Sequence, residues 1–166
     1  MPETSLTPKR RRAENDDRAP PTPAPFVELG LASCFSFLRG ASDAVDLATQ
    51  ARALGYDAIG IADANSMAGV VRLHMEAKAL ALRPVIGCRI ETVEGLTFLA
   101  YPLDRAAYGR LCHLISAGRM GTLAGDWQDK GVCEISLGML AQHCEGVQLV
   151  LVPPVELAAQ LTILVE

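Results

Sequence analysis

From Phe26 onward the chain alternates short apolar runs with amphipathic stretches, and few architectures accommodate that order. Strands and helices in strict succession are the pattern of repeated βα units, which build a largely parallel sheet covered by helices. The strand candidates are Phe26 to Ala32, Ala58 to Ala62, Pro84 to Ile90, Leu96 to Tyr101 and Val147 to Val152. The fourth can instead pair antiparallel with the third, because Glu94-Gly95 is a short turn and a tight hairpin cannot join parallel neighbours.

Between the first two strands, Ala44, Leu47, Ala48, Ala51 and Leu54 follow the spacing of one helix face, with Ser42 as the expected start cap and Gly55 as the stop. A second helix is expected from Met67 to Leu82, with Met67, Val70, Val71 and His74 on its apolar stripe and His74 packed and hydrogen-bonded there. Leu103 to Ala117 reads as a third helix and Gly118 to Gly131 as a glycine-rich loop. In that loop Trp127 either anchors a partner or folds back over a hydrophobic edge, the commoner arrangement. A short helix from Ser136 to His143 and a further one from Val155 to Val165 complete the pattern.

With 166 residues, half of them apolar, the chain reads as one soluble globular domain, here residues 26–166. Residues 1–25 hold six of the ten prolines and read as a disordered leader. Its Lys9-Arg10-Arg11-Arg12 run is balanced by Glu14, Asp16 and Asp17, as in a solvated tail. That leader carries five basic and four acidic side chains, leaving ten basic and fifteen acidic in the remainder. An acidic domain is a poor match for direct grip on a nucleic-acid backbone, where neutralised phosphates supply most of the non-specific affinity. No apolar run reaches the roughly 20 residues of a membrane span, so the expected compartment is the cytoplasm, with no membrane partner.

Five cysteines, an odd number without C-x-x-C spacing, argue against a disulfide framework and against a treble-clef-type zinc site. They are expected to be reduced thiols, several of them buried. A metal site could be assembled from Cys112, His113, Cys133, His143 and Cys144. That spacing is unspecific, and small buried hydrophobes are the preferred reading.

Three segments carry a family resemblance: Val27-Glu28-Leu29-Gly30-Leu31-Ala32-Ser33-Cys34-Phe35-Ser36-Phe37-Leu38-Arg39-Gly40-Ala41-Ser42, then Leu54 to Arg72 with Ile61-Ala62-Asp63-Ala64-Asn65-Ser66 at its centre, then Pro84-Val85-Ile86-Gly87-Cys88-Arg89. Together they resemble the PHP (polymerase and histidinol phosphatase) domain at the start of bacterial DNA polymerase III alpha subunits. Phe35 to Ser42 and Ser66 to Arg72 look like the error-prone branch of that family. Ala106 to Cys112 and Cys144 to Leu149 continue the match in order.

The resemblance implies a PHP-type (β/α)7 barrel, here partial and incomplete at its C-terminal side. A barrel of that kind needs roughly 250 residues. An unpaired strand edge that invites aggregation or a partner chain is the expected result. In PHP phosphoesterases, ligands at the strand ends hold two or three divalent metals that generate a hydroxide. Position by position, those ligands fall on Gly30 and Ala32, on Asp63 and Ala64, and on Arg89. Glycine and alanine side chains offer no lone pair. A guanidinium about 4 Å from a dication would be repelled by roughly 8 kcal/mol at an effective dielectric near 20. The reading is therefore a degenerate site with no catalytic residue, no metal and no cofactor. Asp63 is either a turn or helix-start carboxylate or the partner of Arg89, which would then replace the lost metal charge.

The function implied is a structural or interaction platform within an error-prone DNA polymerase that serves damage-induced mutagenesis and translesion synthesis. This chain would have no polymerase activity of its own. Its partners would be the remainder of the polymerase or replication and mutagenesis accessory proteins, and it would meet DNA only through the parent enzyme. The rival readings are a metal-dependent PHP phosphoesterase or proofreading nuclease, and a truncated gene product without an independent role.

Overall fold

The structure is a computed structural model and describes residues 26–154. The expected leader and the helix expected over Val155 to Val165 lie outside the described residues.

Eight elements follow in order: α1 (Ala44–Ala53), β1 (Ala58–Ala64), α2 (Val70–Ala79), β2 (Arg83–Glu91), β3 (Thr97–Pro102), α3 (Arg105–Met120), α4 (Leu137–His143) and β4 (Val147–Val152). The strands form one sheet in the order β1-β2-β3-β4. Only β1 and β2 run parallel; β2 with β3 and β3 with β4 are antiparallel. The expectation of a mostly parallel sheet is corrected here: the architecture is a mixed α/β sheet. The cause is local. The Gly95 N–H donates to Thr92 O at 3.0 Å and the Thr92 N–H to Leu96 O at 2.9 Å, closing a tight hairpin that forces β3 to turn back on β2.

The first expected strand, Phe26 to Ala32, is extended backbone beside β1 rather than a regular strand. Gly60 N–H donates to Glu28 O at 2.7 Å, but Ala62 N–H reaches Leu31 O at 2.8 Å. Two residues on β1 thus answer three on the neighbouring segment, as in a bulge. The Gly30 N–H is diverted from any ladder to the Glu28 carboxylate at 2.8 Å.

Helix ends also differ from expectation. Asp43, not Ser42, caps α1: its backbone is extended and its carboxylate accepts the Val45 N–H at 3.0 Å. The same carboxylate holds Arg72 of α2 at 2.7 Å, tying the two helices together. At the other end, Gly55 takes φ of +80°, with its N–H on Arg52 O and that of Tyr56 on Ala51 O. This is the left-handed stop expected of that glycine. Asp104 caps α3 through the Ala107 N–H at 2.7 Å, so the helix starts later than Leu103. It also runs past Ala117 to Met120.

The core lies on one face of the sheet in two adjoining parts. Ala44, Ala48 and Ala51 of α1 and Val70, Leu73 and Ala77 of α2 cover Ile59 and Ile61 of β1; Leu111, Leu114 and Ile115 of α3 and Leu140 of α4 cover Cys88, Ile90 and Ala100. Met67 touches both parts. Alanine at three successive contact positions lets α1 approach α2 closely. The buried stripe of α2 is therefore Val70-Leu73-Ala77; Val71 is exposed and His74 only half-buried, against the stripe read from the sequence. Adjacent valines lie about 100° apart on a helix, and only one of them can face the sheet.

Candidate functional site

Alternation along β1 sends Ile59, Ile61 and Asp63 toward the helices. Asp63 is thereby carried into the interior, 1% exposed. A buried carboxylate must be compensated, and here hydrogen bonds do it. Oδ1 accepts the Ser33 N–H at 2.7 Å, the Ser33 hydroxyl at 3.0 Å and the Ser36 hydroxyl at 2.6 Å. Oδ2 accepts the Ser33 hydroxyl at 2.9 Å and the Gly69 N–H at 3.2 Å. Gly69 is the residue before α2 and has no side-chain cap of its own. Asp63 thus caps a helix from the preceding strand, where a negative charge is favoured by the helix dipole. A Cβ on residue 69 would stand 2.5 Å from Oδ2 and 2.7 Å from the Ser33 Oγ, so only glycine fits this approach.

The serines have further duties. Ser36 Oγ accepts the Ala64 N–H at 3.0 Å, and the Ser36 N–H donates to Ser33 O at 2.9 Å within the turn that carries both hydroxyls. Asn65 follows with φ of +43°. Its N–H donates to Arg89 O at 2.8 Å, its Oδ1 accepts the Glu91 N–H at 3.0 Å, and its own carbonyl takes two bonds from Arg119 of α3. Arg39 and Glu91 form an ion pair beside it. The strand ends, the 33–40 turn and two helices are locked into one polar network.

Arg89 belongs to the other face. Its register partner is Ala64, while Asp63 is opposite Cys88. Side chains at 63 and 89 therefore leave opposite sides of the sheet, and among the described residues no ion pair joins them. Of the two readings of Asp63, the pairing with Arg89 is not made, and the helix-start carboxylate is the one the geometry matches. The Arg89 guanidinium lies instead beside Gly30, where a Cβ would be 3.8 Å from its Nη2 and 3.5 Å from Glu28 Oε1. Tyr101 is close by and donates to Leu29 O at 2.8 Å. Burial, with the Glu28 charge adding and the Arg89 charge opposing, pushes its phenol up to about 12.

Of the five positions that the resemblance matched to metal ligands, Gly30 and Ala32 lie on the segment beside β1, Asp63 and Ala64 end β1, and Arg89 is on β2. Their donors amount to one carboxylate, already saturated by serines and amides, and one cation. The set does not fit a divalent metal centre. Ser33, Ser36 and Gly69 were not singled out from the sequence. The available signal was the Ser-x-x-Ser spacing, which can set two hydroxyls on one side of a turn.

The second set considered is only partly assembled. His113 of α3 and His143 of α4 meet, with Nδ1 and Nε2 3.2 Å apart, but no group of three or more metal-ligating side chains gathers among the described residues. All five cysteines are free. Cys88 alone is buried, against an expectation of several, and burial pushes its thiol up to about 12. Trp127 is 84% exposed and does not fold back onto the domain. No helix among the described residues is long and apolar enough to cross a membrane.

A mixed four-stranded sheet covered by helices defines the class of domain. The matching family model is the PHP domain, over residues 28–163, and the chain belongs to that family. Its relatives include an error-prone DNA polymerase from Allorhizobium ampelinum, 43% identical over 128 residues, or 77% of this chain and 11% of that protein. One from Caulobacter vibrioides is 43% identical over 133 residues, or 80% of this chain and 12% of that protein. Error-prone DNA polymerase 3 of Agrobacterium fabrum is 50% identical over 94 residues, covering 57% and 9%. The chain thus spans about a tenth of the length of these relatives. Among solved structures, a Bifidobacterium adolescentis protein described as a metal-dependent phosphoesterase is similar in fold, with TM-score 0.50 and 22% identity over 62% of this chain and 36% of that one.

Proposed function

We propose that this chain is a metal-free PHP module that serves an error-prone DNA polymerase as a structural platform in damage-induced mutagenesis and translesion synthesis. The observation that carries this reading is the state of Asp63, the one ligand-type side chain left among the aligned positions, whose oxygens are consumed by Ser33, Ser36 and Gly69. In place of a metal, those bonds hold the strand ends together.

The surface supports the platform role. Phe37 is 84% and Leu38 90% exposed at the tip of the 33–40 turn, next to a half-exposed Phe35. Large apolar groups placed together on a turn suit contact with a larger protein. On this reading the four strands are the first part of a (β/α)7 barrel, the partner is the remainder of the polymerase or an accessory protein, and DNA is gripped only by the parent enzyme, in the cytoplasm.

Two measurements test the proposal. Purified chain supplied with Mn2+ should hydrolyse no phosphoester above the rate of its Asp63→Asn variant; Asp63-dependent turnover would favour a phosphoesterase or proofreading nuclease. It should also bind saturably to an error-prone DNA polymerase from which the equivalent segment has been deleted. Failure to bind would leave the truncated-product reading.

A further inference from the structure

The contact between His113 and His143 lies away from the strand ends, on the outer surface of α3 and α4. Its chemistry is set by one hydrogen bond. His143 Nδ1 is 2.8 Å from Met139 O, and since a carbonyl only accepts, Nδ1 carries the proton. The neutral ring then presents a bare lone pair at Nε2. His113 Nδ1 faces that lone pair at 3.2 Å, and the rings are nearly coplanar, at 17°, with centroids 5.4 Å apart. Centroids so much farther apart than the facing nitrogens mean that the rings meet end to end and do not stack.

The geometry points to a two-imidazole site for a divalent transition-metal ion of the zinc, nickel or copper type, with His113 Nδ1 and His143 Nε2 as its protein ligands. Two nitrogens held about 2.0–2.1 Å from a tetrahedral ion stand about 3.3–3.4 Å apart with their lone pairs converging on it; here the two meet head-on in a hydrogen bond, so an ion enters only when one ring turns off that axis. His143 already has the outer support common to metal-bound histidines, its other N–H on a backbone carbonyl that fixes tautomer and ring orientation. His113 is exposed, so its ring is free to swing and aim its lone pair at an ion between the two. On binding, the His113 Nδ1 proton moves to Nε2 of the same ring. Two nitrogen donors suit zinc, nickel and copper and not magnesium or calcium, which take oxygen. With water in the remaining positions the site is exchangeable, and an ion there would clamp α4 to α3 across the intervening 121–136 segment.

Ni2+ titration of the full chain, followed by histidine ring signals in NMR, tests this. The chain has three histidines, His74, His113 and His143. Signals of His113 and His143 should broaden at substoichiometric ion while that of His74 stays sharp, and Mg2+ should broaden none. His113→Ala, at an exposed position, should keep the unfolding midpoint yet abolish the selective broadening of His143. Equal broadening of all three rings, no broadening, or an unchanged His143 response in His113→Ala would overturn the proposal. Signals at the strand ends bear on the PHP positions alone, so the two proposals fail separately.

Discussion

The carboxylate of Asp63 and residue Ser33, thirty positions apart in the chain, are joined by both the serine amide and its hydroxyl, at 2.7, 3.0 and 2.9 Å. This contact ties the extended segment before the 33–40 turn to the end of β1 and, through the Gly69 amide, to the start of α2. Charge-assisted bonds to a buried carboxylate are stronger than neutral ones, and each donor left behind when one is lost is costly.

Asp63→Ala should therefore destabilise the domain by at least about 3 kcal/mol, because two amides and two hydroxyls lose their acceptor together. Ser36→Ala should cost about 1–2 kcal/mol, the loss of one bond given and one received. Urea unfolding measures both. Variants with unchanged midpoints would remove the structural role assigned to the carboxylate.

Two glycines of α3 should respond in opposite ways to alanine. At Gly109 a Cβ meets nothing within 4 Å, so Gly109→Ala should stabilise by about 0.5–1 kcal/mol through helix propensity. At Gly118 it would stand 2.8 Å from Glu134 O and 2.8 Å from Ile135 Cγ1, backbone and core that cannot simply step aside. Gly118→Ala should cost about 1–3 kcal/mol. Thermal melts of the pair should move in opposite directions.

Alkaline pH should weaken the fold. The Cys88 thiol ionises at an ordinary 9.0 in the unfolded chain, but burial holds it protonated up to about 12 in the folded one. Tyr101 moves the same way, from 10.0 to about 12. The unfolded state therefore releases protons first. The stability these groups contribute is full below about pH 9 and drains away as the pH climbs toward 12. Urea midpoints measured from pH 8 to 11 should fall, and fall less in Cys88→Ala. In parallel, an alkylating reagent at neutral pH should modify the exposed Cys34 well before Cys88.

The outer side of β4 has no strand partner among the described residues, and Val150 is 44% exposed. A charge there should oppose edge-to-edge association. Val150→Lys is expected to lower concentration-dependent light scattering without shifting the unfolding midpoint.

Local pattern was enough to find most elements. The apolar runs at 58–62, 84–90 and 147–152 are strands, and Gly55 ends α1 as its position implied. Errors fell where two neighbouring residues were equally qualified, Ser42 against Asp43 as a cap and Val70 against Val71 as core. Propensity does not separate such pairs, because the choice rests on which of them faces another element.

The amino-acid order alone established the strand-helix-strand run of β1, α2 and β2, the family resemblance, and the absence of metal-donor side chains at Gly30, Ala32 and Ala64, since none of these depends on where distant segments meet. The fate of Asp63 and Arg89 was a tertiary matter. Placing residue 63 opposite 88 and not 89 turned the acid toward Ser33, Ser36 and α2 and the arginine toward Gly30. Register is set by how two strands slide against each other under the packing of a whole core, and a shift of one residue exchanges the faces of the sheet.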